Sequence, residues 1–246
     1  MKKTLLALGI VAALAISQAA HATPVTYTYA DNAVNWDTWT ASNNNLDDPL
    51  GSPDFASTSI TMDQTQLQKI VFNYVPGTYN PATYILKSGD LFIDANADKT
   101  WDYVVKAIGQ DLDKNYTLGL FAINIALHDT SAYAYSSYPY VENNTNLYPT
   151  ATNFRPGLPV GLLDSVTENE SAIASVNYSA TTSGISFDFG SNSLLNFDDP
   201  FIIGYAVTCG NDVIYQAAPV PEPGTFAMLG AGLLGLGLFA RRRKQL

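Results

Sequence analysis

Four carboxylate or carboxamide side chains crowd one nine-residue stretch, Asp94-Ala95-Asn96-Ala97-Asp98-Lys99-Thr100-Trp101-Asp102. Asp94, Asn96, Asp98 and Asp102 fall at relative positions 1, 3, 5 and 9. A tight loop with that spacing turns several oxygens toward one hard cation, so the chemistry within reach is Ca²⁺ binding. The flanks, Leu91-Phe92-Ile93 and Tyr103-Val104-Val105, read as strands, so the loop is not an EF-hand. Lys99 also stands where an EF-hand needs Gly, and Val105 where it needs a bidentate Glu. A site of this kind would have the weak affinity of extracellular modules, about 10⁻⁴ to 10⁻³ M. The same residues also read as a solvated hairpin turn, because Asn and Asp side chains bond their own backbone.

Other chemistry is thinly provided. His21 lies in a leader segment, which leaves His128 as the histidine of the mature chain. Cys209 is the one cysteine, so no internal disulfide can form. A Cys209–His128 pair would need the fold to unite nucleophile and base. No Gly-x-Ser-x-Gly elbow is present. One His and one Cys do not make a structural zinc site, and Cys209 reads as a small buried apolar residue. Tyr133, Tyr135, Tyr138, Tyr140 and Tyr148 crowd one region. Rings such as Tyr138 and Tyr140 could stack on sugars, which gives a second functional reading: a carbohydrate-binding module or glycan-active enzyme using residues 133–148. The plainer reading is a Tyr-rich composition, with 15 in the chain. A glycosidase needs only two acids at the right separation, and 22 acids do not rank the pairs.

The elements that must position these residues are strands. Val25–Tyr29, Ser57–Met62, Leu67–Val75, Tyr84–Leu86 with Asp90–Asp94, and Trp101–Ile108 alternate or carry β-branched and aromatic residues. Tyr116–Leu127 reads as a central strand. Ala172–Tyr178, Gly184–Phe189, Phe201–Val207 and Val213–Gln216 complete the set, and Trp36–Trp39 adds a short candidate. Residues 43–53 read as loop and Tyr133–Pro159 as a long irregular excursion. Asn211 and Asp212 read as a turn before the last strand. Many short strands, turn signals between them and no long 3.6-residue period predict an all-β fold, an antiparallel β-sandwich of jelly-roll type.

The chain ends set its destination. Lys2-Lys3, the apolar run Leu5–Ile16 and Ala20-His21-Ala22 form a secretory signal peptide cleaved after Ala22, which implies a Sec translocon and signal peptidase as partners. Residues 1–22 are that leader, 23–218 the exported domain and 219–246 a C-terminal signal. With Lys2 and Lys3 removed and the cluster at 241–244 set aside, six bases remain: Lys69, Lys87, Lys99, Lys106, Lys114 and Arg155. Set against all 22 acids, Glu222 of the tail included, they leave residues 23–240 a formal charge near −16. Such a surface repels nucleic acid, and a DNA or RNA role is excluded.

At the C-terminus, Pro219, Pro221 and Pro223 enforce an extended segment around Glu222. An uncharged run follows. Gly224 to Ala240 is 17 residues, or roughly 25 Å as a helix, at the short end of what spans a bilayer. It predicts a single transmembrane helix over 225–240. Arg241, Arg242, Arg243 and Lys244 form a basic stop on the cytoplasmic side.

Val220-Pro221-Glu222-Pro223, the Gly/Leu-rich span and the terminal Arg cluster together resemble the PEP-CTERM sorting signal of Gram-negative bacteria that make exopolysaccharide. The resemblance implies recognition of Pro221, Glu222 and Pro223 by exosortase, a membrane-embedded transpeptidase-like enzyme. It implies a transient inner-membrane anchor, then release or attachment at the cell surface or in the extracellular matrix, with a non-enzymatic structural or adhesive role in biofilm. Gly89–Asp94, Trp101–Val104 and Thr208–Ile214 resemble a subgroup of exosortase-dependent surface proteins, in which such segments are scaffold features.

Overall fold

Side-chain alternation decides the fold strand by strand, because a period of two puts every second residue on one face. The computed structural model describes residues 23–31, 53–80, 87–135, 158–190, 194–208, 210, 212–220, 230, 232 and 233. They form β1 (Val25–Ala30), β2 (Phe55–Asp63), β3 (Gln66–Tyr74), β4 (Ser88–Asp94), β5 (Thr100–Val105) and β6 (Asn115–Ala126). Then come β7 (Tyr133–Tyr135), β8 (Pro159–Leu162), a one-turn helix α1 (Asp164–Thr167), β9 (Ala174–Thr181), β10 (Gly184–Asp188), β11 (Phe201–Val207) and β12 (Val213–Ala218). The candidates at 36–39 and 84–86 lie outside the described residues, as does the 43–52 part of the expected loop.

Ten strands make one antiparallel sheet in the order β1-β2-β3-β10-β9-β6-β5-β4-β11-β12. The all-β antiparallel expectation holds, but the sandwich does not: one continuous sheet replaces two packed ones. Alternation could not separate these cases, since each buries one face of every strand. Long-range contacts show that the sheet curls upon itself. Phe72 of β3 stacks on Tyr205 of β11, with ring centroids 4.6 Å apart. Phe55 of β2 and Phe187 of β10 also pack on Tyr205. Those strands are far apart along the sheet, so their rings meet only across an interior. The backbone N–H of Phe55 donates to the buried Asp212 carboxylate at the head of β12, which draws the sheet's two ends together. Asp212 does precede the last strand as expected, but as a buried acceptor.

A second apolar layer lies on the outer face. The expected loop at 133–159 is not all loop: β7 and β8 pair as a two-stranded ribbon, while 136–157 lies outside the described residues. The ribbon lies over the outer face of β4 and β11. Phe92, Trp101, Val104, Ala206 and Val213 of the sheet pack there against Tyr133, Val160 and Leu162. Leu91 and Ile93 point the other way, into the main core. All seven residues of β4 are therefore buried.

Candidate functional site

The Asp94–Asp102 stretch is the turn joining β4 to β5, as the flanking residues predicted. Asp94 is 1% exposed. Its Oδ1 accepts the N–H groups of Asn96 and Asp98 at 3.3 and 3.2 Å, and its Oδ2 accepts that of Lys99 at 2.8 Å. Ala97 and Lys99 hold φ of 58° and 70°, left-handed values that wrap the backbone around the carboxylate. Asp102 accepts the Ala95 N–H at 2.7 Å, and Asp98 accepts that of Thr100 at 2.9 Å. The Asn96 side-chain amide donates to Asp98 at 3.1 Å. Burial pushes the Asp102 carboxyl up, the Ala95 N–H pulls it down, and the charges of Asp94 and Asp98 raise it again.

All four predicted ligands thus come together in one turn, engaged with the backbone and with one another. A cation drawing on all four would have to displace those bonds. Among the described residues, no group of three or more His, Cys, Asp or Glu is arranged to hold a metal ion. What the geometry does without help is fix a hairpin.

A second polar centre escaped the sequence reading. Asp90 in β4 is completely buried. Its Oδ1 accepts the N–H groups of Ala107 and Ile108 at 2.7 and 2.8 Å. Its Oδ2 accepts the Leu162 N–H at 2.8 Å and the Lys106 ammonium at 3.0 Å. Lys106 also donates to the Leu162 carbonyl at 2.7 Å. Burial pushes this carboxyl up, while Lys106 and the backbone donors pull it down. One carboxylate therefore joins β4, the end of β5 and the ribbon. The signal was an acid directly before the apolar run Leu91-Phe92-Ile93, since a buried Asp needs partners. A third centre, Asp111, accepts from Lys87, Lys114 and Tyr116 at the opposite end of β4 from the Asp94 turn. The Lys114 and Lys87 ammonium groups hold its carboxyl down at about 2.

Other candidates are dispersed. Tyr133 is 2% exposed and donates to the Leu127 carbonyl, so it is core and presents no ring to a sugar. Tyr135 is half-buried and donates to the Thr130 carbonyl. Tyr138, Tyr140, Tyr148 and Cys209 lie outside the described residues, while His128 is exposed in the turn after β6. The three segments expected to be scaffold are neighbours: Gly89–Asp94 forms β4, Trp101–Val104 lies in β5, and Thr208–Ile214 spans the β11–β12 connection. Gly89 shows the closeness. A Cβ there would lie 2.1 Å from the Ala206 carbonyl oxygen and 2.3 Å from that of Val160.

The C-terminal signal leaves directly from the sheet. β12 ends at Ala218, which pairs with Phe201 and is 1% exposed. Pro219 is exposed, while Val220 packs on the main core. Pro219 lacks an N–H group, which stops the ladder after Ala218. Pro221, Glu222, Pro223, Arg241, Arg242 and Arg243 lie outside the described residues. Of the expected span at 225–240, positions 230, 232 and 233 are described and are helical. Among the described residues, no helix is long and apolar enough to cross a membrane. No curated protein and no solved structure matches the chain. The tail does match a known family: residues 219–244, beginning one position after β12, carry the PEP-CTERM protein-sorting motif.

Proposed function

We propose that the chain is an exported protein that exosortase recognises through Pro221, Glu222 and Pro223 and delivers to the cell surface or the extracellular matrix. The observation that carries this reading is the sorting motif over residues 219–244. Signal peptidase would remove residues 1–22. The run 225–240 would anchor the precursor in the inner membrane, with Arg241–Lys244 as its cytoplasmic stop. The β-body would then serve as a structural or adhesive component of a biofilm matrix rich in exopolysaccharide, without enzymatic activity. In cells lacking the sorting enzyme, the full-length membrane form is expected to accumulate. Unchanged delivery there would overturn the reading.

Ca²⁺ enters the proposal as a weak ligand of the exposed lip of the β4–β5 turn, around Asn96 and Asp98, with Asp94 and Asp102 behind them. Calorimetric titration of the body with CaCl₂ tests it, and absence of both heat and a melting shift removes the site. Glycan binding through Tyr138 and Tyr140 is the alternative function. A glycan array with Tyr138→Ala and Tyr140→Ala variants separates it, because retention lost in both variants would favour that reading.

A further inference from the structure

We propose that the end of the sheet from which the tail leaves is a docking surface for the membrane-embedded sorting enzyme, which takes the motif while the folded body rests against it. This rests on the sorting function proposed above and adds where, and at what distance, the enzyme must meet its substrate.

The topology supplies the first argument. In an antiparallel order, alternate strands begin and end together. Val25 opens β1 opposite Met62 near the close of β2. Asp94 closes β4 opposite Ile202 near the start of β11, and Ala218 closes β12 opposite Phe201. Thr100 opens β5 opposite Ala126. All these positions fall at one end of the sheet. The leader before Thr23 and the tail after Ala218 therefore leave from the same end, and a membrane holding either segment faces that end.

Chain length supplies the second. Val220 packs on the core, so the reach of the chain toward the motif is counted from it. At no more than ~3.6 Å per residue, Glu222 lies within about 7 Å of Val220 and Thr225 within about 18 Å. An enzyme that grips Glu222 at that distance also touches the body.

Charge supplies the third. Around this exit Asp98, Asp129, Asp198 and Asp199 are exposed, with Lys99 and His128 among them. Lys87, Lys106 and Lys114 lie toward the other end, with Asp111 and Asp90. An anionic bilayer surface repels such a rim. The complementary occupant is a basic surface beside the enzyme's entrance, and rim charges of this kind govern encounter rate.

The test follows conversion of precursor to processed form by pulse–chase, with the full-length chain in producing cells. The double variant Asp198→Lys, Asp199→Lys should convert at least about fivefold more slowly, with the melting temperature of the body unchanged. Inserting a flexible Gly/Ser segment between Val220 and Pro221 should make conversion indifferent to that charge reversal, within about twofold. Reversal at the parental rate would overturn the docking surface. Equal slowing with and without the inserted segment would overturn the distance argument. Glu222→Ala separates the two levels: continued conversion in that variant would remove the sorting function itself, whereas loss of conversion leaves the docking result to be read alone.

Discussion

The outer face of the curled sheet comes in two kinds. Over β4, β5 and β11 the ribbon seals a second apolar layer, with Asp90 and Lys106 locked beneath it. Over β1, β2, β3 and β10 the same face carries hydroxyls and amides. Thr26 and Thr61 hydroxyls meet at 2.9 Å, Thr28 and Ser59 at 3.1 Å, and the Asn73 amide donates to Ser57 at 3.1 Å. These contacts are exposed or part-buried, so water competes for each of them. The inner faces of both regions feed one core. The difference is therefore in what the outer side must satisfy. Under the ribbon a polar group needs a fixed partner, whereas on the bare face it needs none.

The largest effect should come from breaking the sealed side. Asp90→Ala strands the N–H groups of Ala107, Ile108 and Leu162 and leaves Lys106 without its buried partner. A loss of about 3–5 kcal/mol is expected, the range for a broken buried pair, read by urea unfolding of the body. Gly89→Ala is next. Its Cβ would press on two backbone oxygens that cannot swing aside, and overpacking of this sort costs about 1–3 kcal/mol. A smaller effect belongs to Asp111, whose carboxyl is held down at about 2. A lowered folded-state value means that its contribution is complete above the ordinary Asp range near pH ~4. It then fades as pH falls toward 2. Lys87→Ala should weaken that acid-dependent loss in an unfolding series across this window. The smallest change is expected on the bare face, where Thr28→Val and Ser59→Ala should each stay within about 0.5 kcal/mol. A bare-face variant as costly as Asp90→Ala would erase the contrast.

The contrast also explains what the sequence could show. The bare-face strands were legible because one side is buried and the other wet: β2 alternates from Thr58 to Asp63 and β3 from Lys69 to Tyr74. β4 was legible as a strand, but its burial on both faces depends on Val160 and Leu162, some seventy residues away. The ribbon itself was hidden, since Tyr133-Ala134-Tyr135 and Pro159-Val160-Gly161-Leu162 are short and flank a polar, Tyr-rich stretch. Closure of the sheet was hidden for the same reason, because Asp212 looks like any turn residue until Phe55 meets it. The Asp94 turn was legible as a cluster of oxygens. Its internal bonding was not, because it depends on left-handed backbone at Ala97 and Lys99, which residue type does not announce. The tail was legible in full as a pattern, since prolines, an uncharged run and a basic end are all local features.

Sorting by the tail is tested most directly at the C-terminus of the delivered protein. The chain recovered from the surface or matrix of producing cells should be weighed intact and its C-terminal peptide sequenced. The expected terminus lies upstream of Thr225, with the apolar run and Arg241–Lys244 gone. A surface form that still ends at Leu246 would contradict it.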